Sequence, residues 1–169
     1  GEIKGSFSSS EIYPEWWGLE PDKNEIAINC AIQSFQHAYL GHKVSLVSGY
    51  YYVSGPIDLR TSLSYLVGAS SGATFIVATN KWESKFEDSN FWNHYTKIDP
   101  KSHAAIIWIG SVYPASQSFR TGVKGLSIHA WEAAKKYPNK YISCISSTGY
   151  IEENSVIEDV CLSGFSGFG

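Results

Sequence analysis

Two stretches of the chain repeat one another. Val123-Lys-Gly-Leu126-Ser-Ile128-His-Ala-Trp131 matches Ile157-Glu-Asp-Val160-Cys-Leu162-Ser-Gly-Phe165, with apolar residues at four shared positions and an offset of thirty-four residues. Period-two alternation of this kind describes a strand with one buried face. A fixed offset between two such strands describes parallel neighbours in a stack, each covering the other's apolar row. A solenoid coil takes roughly twenty-odd residues. The offset therefore holds one coil and an excursion, and Trp131 to Lys140, polar and ending in a Pro-Asn turn, is the segment that leaves the stack.

Other strand-like runs precede this pair: Val44 and Leu46, Tyr52 and Ser54, Ile57 and Leu59, Ala73 to Val77, and Ala105 to Ile109. Turn chemistry separates them at Ser48-Gly49, Ser54-Gly55-Pro56, Gly68 and Ser70-Ser71-Gly72, the pattern of a domain made of many short strands. One segment has the helical period. Ala27, Cys30, Ala31, Phe35 and Ala38 recur at spacings of three and four, with Ile28 and Ile32 widening the stripe. Asp22 and Glu25 have capping-box spacing and Gly41 sits where a left-handed stop belongs, which predicts a helix over about 22–39.

Composition narrows the function classes. With 43% hydrophobic and 17% charged residues in 169, the chain is neither disordered nor highly charged. Its net charge of −3 and lack of a basic stripe argue against nucleic acid as a partner. The longest apolar run, Ala104 to Ile109, is far shorter than the roughly 20 residues of a membrane helix. Cys30, Cys144 and Cys161 are odd in number and widely spaced, which fits buried thiols better than a disulfide framework or a zinc site. No metal or cofactor is expected, since no His/Cys cluster has ligand spacing and no glycine loop has phosphate-binding form.

The stretches YPEWWG, AINCAIQSF, HKVSLVSGYYYVSGPIDL and YLVGASSGATFI, in this order, resemble the opening of pectate-lyase-like right-handed parallel β-helix proteins. Ile28, Ala31 and Ile32 hold the helix positions of that pattern, Gly49, Tyr52, Val53, Pro56, Ile57 and Leu59 the strand-pair positions, and Gly68, Ala69 and Ser70 the turn. The resemblance covers residues 12–77 well and 121–169 loosely. It implies an all-β solenoid whose N-terminal rungs are capped by one amphipathic helix. A β-helix mouth exposes core and unpaired backbone groups, and Trp16, Trp17, Ile28, Ala31, Ile32 and Phe35 are the expected plug. Burying one such aromatic contributes about 2–3 kcal/mol. Tyr13 or Trp16 has an alternative role as a platform for a sugar ring. Residues 1–11 read as a loose linking arm, and 12–169 as part of one β-helix domain with a cap at 12–41 and excursions at 79–103 and 131–141. The missing methionine, and an ending directly after a strand at Phe165-Ser-Gly-Phe168-Gly169, lead to the expectation that rungs continue beyond residue 169.

Catalytic residues are not visible. With Leu126, Ile128, Val160 and Leu162 inward, Ser127, His129, Asp159 and Cys161 face outward. Asp159 then lies beside Gly125, without the second carboxylate that glycoside hydrolysis requires. Glu152-Glu153 reads as a solvated turn pair. The aromatic excursion is the binding candidate: Trp82, Trp92 and Tyr95 stack on sugars, pack against the β-helix wall, or meet another subunit. The function implied by the resemblance is that of a phage tail-spike-type protein that recognises, and in some members depolymerises, a bacterial surface polysaccharide. Such a protein is located in the virion tail, acts as a homotrimer beside other tail proteins, and holds its active site outside this stretch. The alternatives are a secreted or surface polysaccharide lyase, hydrolase or epimerase, and a non-enzymatic structural or adhesive β-helix.

Overall fold

The computed structural model describes residues 10–34, 42–60, 64–84, 103–110, 121–148 and 155–166. Strand β1 (Glu11–Ile12) leads into a 3-10 turn at Pro14–Trp17 and helix α1 (Asn24–Gln33). Strands β2 (His42–Ser45), β3 (Gly49–Val53), β4 (Ile57–Asp58), β5 (Ser64–Val67), β6 (Thr74–Ala78), β7 (His103–Gly110) and β8 (Gly122–His129) follow. Helix α2 (Trp131–Lys136) then precedes β9 (Tyr141–Thr148) and β10 (Val156–Ser163).

Each described strand pair is parallel. Seven strands form one sheet, in the order β1-β2-β5-β8-β6-β3 with β10 also on β8, and β4-β7-β9 form a second. The fold class expected from the sequence, an all-β right-handed β-helix, is corrected here. The chain forms a mostly parallel sheet curved into a half-barrel with two short helices, α/β-like in class and not a clearly stacked solenoid. The physical reason lies in β8. Its first half pairs with β5 and its second half with β6, so strands that would stack as separate faces merge into one broad sheet.

The merging needs a bend inside β8, and Gly125 makes it, with φ at +61°. A Cβ on Gly125 would lie 2.8 Å from the Gly68 carbonyl oxygen, so only glycine permits this approach. The opposite residue in β10 is Asp159, also left-handed with φ at +49°. A short polar side chain tolerates that conformation better than most. Asp159 secures it by accepting hydrogen bonds from Ser71 N (3.1 Å) and Ser71 Oγ (2.5 Å). These bonds hold its carboxyl below the usual range.

The core is a set of rows across the strands. Ile12, Val44, Leu66 and Val123 are successive register partners, each fully buried. The row ends at Ile157 on β10, which is 55% exposed. A second row runs through Tyr51, Ile76, Ile128 and Leu162, and a third through Ile57, Ile107 and Ile145. The repeat seen in the sequence is the register itself, for Ile157 pairs with Val123, Val160 with Leu126 and Leu162 with Ile128. The segment after β8 is α2, whose Ala133 is buried.

Helix α1 begins at Asn24, later than Asp22 would start it. Asp22 has φ at +62° and Lys23 is the N-cap without a side-chain bond, so the expected capping box does not form. Glu25 instead accepts from Ser54 N at 3.0 Å. Asn24 Oδ1 accepts from Tyr52 N at 2.8 Å, and Asn29 Oδ1 from Asp58 N at 2.9 Å. Three polar side chains of α1 thus satisfy backbone N–H groups of β3, the turn after it and β4, which have no strand to pair with on that side. Ala27, Ile28, Ala31 and Ile32 face the core. The remainder of the expected helix, Phe35 included, lies outside the described residues.

Candidate functional site

The outward face of the sheet divides into two halves of different chemistry. Over β2, β5 and the first part of β8 and β10 it carries Lys43, in register with Tyr65, and Lys124, in register with Glu158. Lys124 Nζ pairs with Glu158 at 3.1 Å and lies 5.6 Å from the Tyr65 ring centre. Over β3, β6 and the second part of β8 and β10 the outward positions are Tyr50, Tyr52, Phe75, Val77, Ser127, His129, Cys161 and Ser163, with no Asp, Glu, Lys or Arg among them.

This second half holds a strip of four rings. Tyr52 and Tyr50 lie 6.2 Å apart with planes 15° from parallel. Tyr50 stacks on Phe75 at 4.8 Å and 16°, and Phe75 meets His129 at 5.8 Å and 45°. The alternation of β3 forces the arrangement. Tyr51 enters the core, so Tyr50 and Tyr52 must point out, and the β3–β6 register sets Tyr50 beside Phe75. Phe75 covers one face of Tyr50, which still keeps 61% of its surface exposed. His129 Nδ1 and Ser163 Oγ are 2.9 Å apart, which fixes the imidazole at the end of the strip. Just after β6, Lys81 pairs with Asp22 at 3.1 Å. Beside it Ser54 and Thr79 exchange a 2.9 Å hydroxyl bond.

The sequence-derived candidates lie elsewhere. Trp82 is fully buried, edge-on to Tyr137 at 6.3 Å beneath α2, which leaves its ring no face for a sugar. Trp92 and Tyr95 lie outside the described residues. Trp16 is 42% exposed and flanked by Tyr13 at 5.8 Å and Trp17 at 6.4 Å, and Trp17 packs on the core. Glu15, between them, accepts from the buried Tyr51 hydroxyl at 2.6 Å. Burial first, then the Glu15 carboxylate, pushes that phenol well above its ordinary range. Asp159 is a bend residue bonded to Ser71 and faces no second carboxylate. The ring strip was missed because its two tyrosines and Phe75 come from separate strands. The signal available was GYYYV, in which one buried tyrosine requires two outward ones.

A second polar cluster lies on the smaller sheet. His103 Nε2 is 3.0 Å from Ser143 Oγ, and burial lowers the His103 pKa. Arg60 lies over the Trp108 ring at 5.2 Å and pairs with Asp58 at 2.5 Å. Both faces of β7 are buried, so this cluster is packing and not an open site. Among the described residues no group of His, Cys, Asp or Glu could hold a metal ion, and no helix is long and apolar enough to cross a membrane. Cys144 is buried, donates weakly to the Ile128 and Ser163 carbonyls, and has its pKa pushed up to about 11, chiefly by desolvation.

No protein-family model and no curated protein matches the chain. Two solved structures are similar in fold. The A-module of the Azotobacter vinelandii mannuronan C-5 epimerase AlgE6 superposes with a TM-score of 0.61 at 20% identity, over 92% of this chain and 38% of that one. ORF18 of Geobacillus virus E2 superposes with a TM-score of 0.50 at 21% identity, over 70% of this chain and 20% of that one. The chain thus spans well under half the length of either neighbour, and at these identities the likeness is one of fold.

Proposed function

We propose that the chain is the glycan-recognising part of a phage tail-spike-type protein, directed at a bacterial surface polysaccharide. The observation that carries this reading is the strip of Tyr52, Tyr50, Phe75 and His129 on the outward sheet face. Exposed aromatic rings fixed by backbone register are pre-organised to meet the apolar faces of sugar rings, and little side-chain entropy remains to be lost on binding. Hydroxyls of Ser163, Tyr50 and Tyr52 stand beside them for hydrogen bonding. Likeness of fold to an epimerase module named for mannuronan and to a phage protein supports the same reading. A homotrimer in the virion tail belongs to this proposal.

A second reading, a secreted polysaccharide lyase, hydrolase or epimerase, is favoured by the coverage of the epimerase module. Among the described residues the strip carries no carboxylate pair, so binding and not bond cleavage is assigned to it. The test is isothermal titration of the chain with purified host capsule, beside the double variant Tyr50→Ala with Phe75→Ala. The variant should bind about tenfold more weakly or worse with an unchanged circular dichroism spectrum. Equal binding by the folded variant would remove the strip from the account.

A further inference from the structure

The division of the sheet face carries the glycan reading one step further, and the step rests on that reading. The geometry points to a neutral polysaccharide, rather than a polyuronate or other polyanion, as the ligand of the ring strip. Eight outward positions on β3, β6 and the second parts of β8 and β10 include no Asp, Glu, Lys or Arg, although Asp159 stands at the bend, bonded to Ser71, and the adjoining half of the same face carries Lys43, Lys124 and Glu158. Among the described residues Lys124, on the adjoining half of β8, and Lys81, just after β6, are each paired with a carboxylate, Glu158 and Asp22.

Among the described residues no unpaired Lys or Arg stands beside these rings, and a uronate carboxylate stripped of water there without a cation is strongly disfavoured. The faces of tyrosine and phenylalanine rings are themselves negative and repel an anion. A neutral pyranose meets neither penalty. Its C–H face covers the rings, and its hydroxyls find the tyrosine hydroxyls, Ser163 and the His129 imidazole. The ring steps of 6.2, 4.8 and 5.8 Å turn from along β3 to across the strands, so the strip suits several consecutive sugars and not one isolated residue.

Affinity electrophoresis tests this. The full chain is run at about pH 8 in native gels containing a soluble neutral β-glucan or a neutral mannan. Parallel gels contain alginate or polygalacturonate. The expected result is retardation by a neutral polymer that added salt does not weaken and that Tyr50→Ala or Phe75→Ala reduces about tenfold. Retardation by the polyuronates alone, relieved by the same variants and by salt, would overturn the neutral assignment while leaving the strip a glycan site. Retardation by none of the four polymers, or retardation indifferent to both variants, would overturn both. Self-association that Tyr50→Ala abolishes, with no glycan retained, would give the face to a second copy of the chain and would also overturn both.

Discussion

Single residues hold this fold at points where backbone groups would otherwise be orphaned. The Tyr51 hydroxyl donates to Glu15 and accepts from Val47 N at 2.9 Å, so one phenol joins the aromatic turn to β3. Tyr51→Phe leaves a carboxylate and an N–H without this partner and should cost about 1–3 kcal/mol in urea unfolding. The same residue predicts an alkaline limit. Its folded pKa is raised above the ordinary phenol value, so its contribution is complete below about pH 10 and is lost as pH rises beyond that. The melting temperature should fall above this pH in the natural chain and fall less in Tyr51→Phe. His103 acts in the opposite direction. Burial lowers its folded pKa, so the folded state binds fewer protons and stability declines as pH drops below about 6.5. His103→Gln should flatten that decline in a pH series of thermal melts. Gly125→Ala meets both a positive φ and the Gly68 carbonyl, and should destabilise by roughly 1–3 kcal/mol.

At the level of elements, α1 joins the sheet by polar as well as apolar contacts. Asn29 donates to Pro56 O at 3.0 Å while accepting from Asp58 N, so Asn29→Ala breaks two bonds at once. It should cost more than Ile26→Ala on the exposed side of the same helix, by roughly 1–3 kcal/mol in the same unfolding assay. The apolar stripe of α1 was legible because helical periodicity is a local property. Its polar partners were not, because Tyr52, Ser54 and Asp58 become neighbours of Asn24, Glu25 and Asn29 only after the chain has turned back. The capping box failed for a related reason: Glu25 has a backbone N–H at Ser54 to satisfy, and that long-range bond competes with the local one. The pairing of β8 with β10 was legible to the residue, since parallel register preserves sequence offset. The bend at Gly125 and the sharing of β8 between β5 and β6 were not, since they depend on how far each shorter strand runs.

For the whole molecule, the contrast between the two ends of the buried row is decisive. Ile12 is fully buried, whereas Ile157 lies half open on β10. An apolar row ending on an edge strand favours association with another chain. Ile157→Lys should leave thermal stability nearly unchanged and lower the tendency of this chain to associate, read by sedimentation velocity. Val123→Lys, at the matching buried position, should prevent folding. The proposed trimer is tested by the same measurement on the longest available form of the protein. A monomer at all concentrations would count against the tail-spike assignment.

The inward rows carry the stability, and the outward rings are carried by them without supporting anything beneath. A change at Tyr50, Tyr52 or Phe75 therefore asks little of the scaffold. Such a surface is free to change its chemistry one side chain at a time, while the hydrocarbon ladder behind it stays as it is.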